Sequence, residues 1–150
     1  MSLSSLALVA LALLAGVMIS VQAPINAMAA VYLGHPIAAA MLSFLVGTLC
    51  LFAVVAVGLA GQVAWSAIPT LPPLLFLGGV LGAIYVTVTI VLTPRIGIGA
   101  VIALGIAGQV MAGLLLDHHG LLGLASRELT LGRASGAALV VIGALMVRFL

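Results

Sequence analysis

A few polar side chains stand inside runs that are otherwise apolar, and their types limit the chemistry open to them. Ser20, Gln22 and Asn26 surround Pro24 in one long run, and Gln109 lies within another that Asp117 closes. An amide carries both donors and an acceptor. In hydrocarbon it must find a partner on another helix, in a water-filled cavity or on a ligand. Proline lacks an N–H, and its ring pushes away the carbonyl four residues back, here that of Ser20. Two readings of this cluster stand side by side. The groups glue helices together or sit in a wet helix end, or a broken helix offers backbone and amide groups to a solute, as transporters build midplane sites. On the second reading Ser20, Gln22, Asn26 and Gln109 bind the solute.

Gly105, Gln109, Gly113 and Asp117 recur every fourth residue. Successive members sit about 40° apart around an α-helix and make a slowly winding stripe. Gly108 and Ala112 lie beside it, so this face admits another backbone. Asp117 is the carboxylate closest to membrane depth, with coupling or gating as its functional reading and an interfacial structural role as the expectation. A negative charge at a helix C-terminus is unfavourable, so Arg127, Arg133 or a histidine folded back should compensate it.

Those residues need elements that cross a membrane. The chain is 66% hydrophobic and 4% charged, with a net charge of +2, too little polar surface to cover a soluble domain. There is no lysine and no basic cluster, which excludes nucleic acid as a partner. The single cysteine, Cys50, excludes a disulfide framework within one chain. His118 and His119 at i, i+1 point in different directions with only Asp117 nearby, so no metal and no cofactor is expected. No nucleophile–base pair or paired carboxylates lie at membrane depth, so the chain is not read as an enzyme. The N-terminus lacks a basic n-region and is read as a retained helix.

The expected fold is an all-α integral membrane protein, one domain over residues 1–150 with five transmembrane helices. The spans fall at about 3–32 with a break at Pro24, 36–60, 72–92, 97–116 and 131–149. Residues 97–116 carry no charge, and 20 residues at 1.5 Å each reach about 30 Å, the hydrocarbon thickness. Pro36 suits a first helical position after the turn at Gly34 and His35. Trp65 fits the headgroup belt. Gly78, Gly79 and Gly82 suggest closely packed faces on the third span, where Thr87 and Thr89 should bond back to helix carbonyls. Thr130 is a candidate N-cap for the fifth span, whose Gly136 and Gly143 form a smooth strip for helix association, the expected dimer interface.

Five crossings place the termini on opposite sides. One side then holds Arg127 and Arg133, the other Arg95 and Arg148, a tie of two against two. Arginine and lysine bias sets orientation, so this chain has almost no instruction about which way to insert. That suits dual topology: an antiparallel homodimer, or a heterodimer with a related five-helix protein, giving an inverted repeat of ten helices.

The closing stretch SRELTLGRASGAALVVIGALMV, residues 126–147, resembles the end of drug/metabolite transporter repeats. Glu128, Leu129, Thr130 and Gly136 stand at the positions of that pattern, with Arg127 where a glycine is usual. VQAPINAMAAVYLGHPIAAAMLSFLVGTL (21–49) and GQVMAGLLLDHHGLLG (108–123) narrow the resemblance to the small five-helix YdcZ-like, EamA-related branch. The resemblance implies a multi-pass protein of the bacterial inner membrane and a transporter of a small polar metabolite or drug-like solute. Small multidrug resistance relatives use a glutamate in the first helix for proton coupling. No Asp or Glu occurs here between Met1 and Leu116, so that kind of cation antiport is not expected. The rival function is a structural or regulatory membrane subunit that moves nothing.

Overall fold

A computed structural model describes residues 3–59 and 61–150. Five long helices dominate: α1 (Leu3–Leu33), α2 (Pro36–Val54), α3 (Leu77–Ile96), α4 (Ile98–His119) and α5 (Leu131–Phe149). All five are long and apolar enough to cross a membrane, α2 as Pro36–Leu59 and α3 as Pro73–Ile96 once their adjoining turns are included. The expected end of the second span, Ala60, lies outside the described residues.

α1 corrects one expectation. The chain does not leave the helix at Pro24, because a single helix of 31 residues continues through it. Proline removes one hydrogen bond of the ladder and displaces one carbonyl, a cost that the intact turns on either side can carry. At about 1.5 Å per residue the helix exceeds the hydrocarbon thickness and must tilt or protrude. Gly34 then turns the chain at φ +74°, a left-handed value that suits glycine. His35 is extended, and its Nδ1 accepts the N–H of Ile37 at 3.2 Å. Pro36 follows as the first helical residue, where its missing N–H has no partner to lose.

The last turn of α2 widens into a π-turn over Val55–Leu59. Two 3-10 turns, Trp65–Thr70 and Pro73–Phe76, lead into α3, and Trp65 is exposed. The hydroxyls of Thr87 and Thr89 donate to the carbonyls of Ala83 and Val86, satisfying themselves within α3. α3 runs through Pro94 and stops at Ile96, where Gly97 at φ +79° redirects the chain.

The chain groups into two compact units, Met1–Val91 and Leu92–Leu150. In the first, Ala39, Ala40, Val86 and Ile90 form a small core against which Ala29, Ala30 and Tyr85 pack. Gly82 belongs to this packing, since a Cβ there would lie 3.3 Å from the ring of Phe44. Gly78 and Gly79 have nothing within 4 Å of such an atom, so the close packing expected of all three falls on Gly82 alone. In the second unit α4 packs on α5, with Ala100, Val101, Ala107 and Ala144 buried. Small side chains dominate both cores, as in helix bundles assembled in lipid.

Candidate functional site

The hairpin of α1 and α2 lines an open cleft of about 570 Å³. Most of its wall is hydrocarbon from Val17, Met18, Val21, Ile25, Leu42 and Val46. Three polar side chains break that wall: Gln22, Asn26 and Ser43. Gln22 and Asn26 are one helical turn apart on α1, so both face the same side. Short residues opposite them on α2, Ala39 and Ser43, also one turn apart, leave the space open.

Gln22 is exposed, and its Nε2 donates to Ser43 Oγ at 3.3 Å, a long contact for a hydrogen bond. Gln22 and Ser43 also wall a second space of about 230 Å³ with Phe44, Gly47, Thr48 and Leu51. The Gln22–Ser43 pair is therefore shared by both spaces. Asn26 is 6% exposed, and its Nδ2 is the buried side-chain donor that has no partner among the described residues. An orphan donor in a buried place costs about 1–3 kcal/mol relative to a satisfied one. Native proteins rarely leave one without a partner from protein, water or ligand.

Electrostatically the first unit is blank. Residues 1–91 contain no Asp, Glu, Lys or Arg. The cleft can offer hydrogen bonds and apolar contact, and it offers no fixed charge.

The other residues singled out in the sequence are placed differently. The Ser20 hydroxyl donates to the carbonyl of Gly16 at 2.9 Å and is not part of the cleft wall. Gln109 stands exposed on α4 in the second unit. A methyl at Gly108 or Gly113 beside it would meet nothing within 4 Å. Gly136 and Gly143 on α5 are open in the same way. Ser43 and Thr48, small or hydroxyl positions of the second span, are the polar lining residues that the sequence does not assign to a site. In the sequence they look like packing positions, and a signal existed only in the small residues Ala39, Ser43 and Gly47 repeating at i, i+4.

Asp117 closes α4 and forms an ion pair with Arg133 of α5. Of its candidate partners, the arginine in the first turn of α5 takes the role. Arg133 also donates to the carbonyl of Glu128 at 3.2 Å. Gly120 caps α4 at φ +59°, and the backbone carbonyl of Asp117 accepts the N–H groups of Gly120 and Arg127. The Ser126 hydroxyl donates to the carbonyl of His118 at 3.0 Å. Thr130 caps α5, its hydroxyl accepting from the N–H of Arg133. The loop is thus tied to both helix ends. The rings of His118 and His119 meet edge to face at 5.0 Å.

The family model described as "Putative inner membrane exporter, YdcZ" matches residues 7–146. The chain belongs to the YdcZ family. That match takes in all five helices, and with their lengths it makes the protein a multi-pass inner-membrane member of a transporter family. No curated protein and no solved structure matches the chain.

Proposed function

We propose that two copies of this chain pair in opposite orientations and export a small polar, uncharged or zwitterionic metabolite or drug-like solute from a bacterial cell. The observation that carries this reading is Asn26: a buried amide with an unanswered donor, beside the Gln22–Ser43 pair, in an otherwise apolar cleft. The family description supports outward movement. Gln22, Asn26 and Ser43 hold the solute in the cleft, Gln109 on α4 is a separate candidate contact, and rocking of helices exposes the solute to each side in turn. Proteoliposomes containing only this protein test it. Saturable flux of an uncharged solute that Asn26→Leu abolishes supports the reading. Equal flux through wild type, Asn26→Leu and protein-free vesicles overturns it and leaves the non-transporting subunit.

A further inference from the structure

We infer that the α1–α2 cleft takes an uncharged amphiphile, with a carbonyl or hydroxyl oxygen held at the Gln22–Asn26–Ser43 cluster and a hydrocarbon body laid along the apolar wall. This rests on the cleft being the solute site proposed above, and it narrows the solute class by three observations.

The first is the missing charge. No ionisable side chain lines the cleft, and no Asp, Glu, Lys or Arg occurs anywhere in residues 1–91. An ion moved from water into such a place loses hydration and gains no counter-charge. Anions, cations and zwitterions are all penalised in this way, so the neutral member of any solute series is favoured.

The second is the sign of the vacant hydrogen bond. Asn26 Nδ2 is a donor at a residue 6% exposed, and it asks for an acceptor. Gln22 Nε2 is already engaged with Ser43, though only at 3.3 Å. A turn of the Asn26 amide toward the cleft would let a solute oxygen answer that donor without disturbing the Gln22–Ser43 pair.

The third is the balance of the wall. Branched aliphatic side chains and Met18 surround the polar cluster, and a space of about 570 Å³ falls in the range of drug-sized sites. A fully polar metabolite would leave its hydroxyls facing hydrocarbon. A solute with one polar end and an apolar body matches both surfaces.

The test uses the full-length protein in micelles and three photoactivatable probes. They share one diazirine-bearing alkyl body and end in a primary alcohol, a carboxylate or an ammonium group. Mass spectrometry after illumination locates the label. The alcohol should label cleft residues of α1 and α2 saturably, with unlabelled alcohol protecting them and the two charged twins competing at least about tenfold more weakly. Asn26→Leu should weaken the alcohol about tenfold. It should leave the melting temperature unchanged or raised, because it removes a buried group with no partner.

Equal competition by a charged twin overturns the inference. So does labelling that never saturates, which is how a lipid chain would fill the cleft. A clear fall in the melting temperature of Asn26→Leu also overturns it, since a second copy of the chain would then be satisfying the amide. Flux separates the inference from the transport reading. Saturable, charge-selective labelling without flux upholds the solute class and removes transport. Asn26-dependent flux of a charged twin upholds transport and removes the solute class.

Discussion

Asp117 is held by Arg133, and that pairing limits what the acid can do for transport. The two side chains are 30% and 31% exposed, so water or headgroups screen the pair, and its worth is about 0–1 kcal/mol. The arginine also offsets the negative end of α4, where a carboxylate is otherwise out of place. A proton carrier there would have to leave its arginine in every cycle. Asp117→Asn keeps the shape and most of the hydrogen bonding, so it should retain gradient-dependent flux and cost less than about 1 kcal/mol. Flux under an imposed pH gradient and chemical denaturation in micelles check both parts, and loss of gradient dependence with solute binding intact would assign coupling to Asp117. The amides are expected to behave in the opposite way. An interhelical hydrogen bond contributes on average about 0.6 kcal/mol in a membrane, so glue residues give mild destabilisation and normal flux when replaced. Asn26→Leu and Gln109→Leu should instead abolish flux while expression and dimer fraction stay near wild type. Normal flux through both variants would move the site elsewhere.

Helix ends decide how the loop between α4 and α5 is built. Gly120 has φ +59°, and a Cβ there would sit 3.3 Å from the carbonyl oxygen of Leu124 and 3.4 Å from Ser126. Gly120→Ala therefore meets both a left-handed backbone and a crowded one, and should destabilise by roughly 1–2 kcal/mol. Gly16→Ala is the control: a Cβ there would meet nothing within 4 Å and the residue is inside α1, so alanine should be neutral or slightly stabilising. Denaturation midpoints in the same detergent compare the two, and equal midpoints would remove the strain argument. These ends also mark how much the sequence discloses. Pro36 and Thr130 announce their helices because caps and first-turn prolines act within a few residues. Pro24 misleads because whether a helix survives a proline depends on the turns around it, and α1 continues. The third helix likewise runs past its expected end at Leu92 and through Pro94, and Gly97 ends it. Gln22 and Asn26 stand out as amides in an apolar run, whereas Ser43 enters the site only through the register of α2 against α1. That register is set by side-chain packing between helices, and no local pattern encodes it.

At the scale of the whole molecule the open question is what faces the small-residue strip of α5. Gly136 and Gly143 lie one heptad apart, and a Cβ added at either would meet nothing within 4 Å, while Ala144 next to Gly143 is buried. Between 6% and 17% of each spanning window is buried within the chain, so most helix surface is free to meet lipid or another copy. Glycines that expose backbone let a second helix approach closely, and such contacts drive association where lipid removes the hydrophobic force between helices. Orientation adds a second constraint. With Arg127 and Arg133 on one side and Arg95 and Arg148 on the other, five crossings leave no arginine excess to fix the direction of insertion. Copies inserted both ways can then pair across the membrane plane and supply the inverted repeat that alternating access uses. A heterodimer with a related five-helix protein would meet the same geometric need. Single cysteines at Phe149 or Leu150 in a Cys50→Ala background report the outcome through a membrane-impermeant maleimide. Dual topology predicts labelling from both sides of the membrane, and Gly136→Leu with Gly143→Leu should lower the crosslinked dimer fraction without changing that labelling. Labelling from one side alone would defeat the antiparallel homodimer and leave the heterodimer as the way to build a ten-helix transporter.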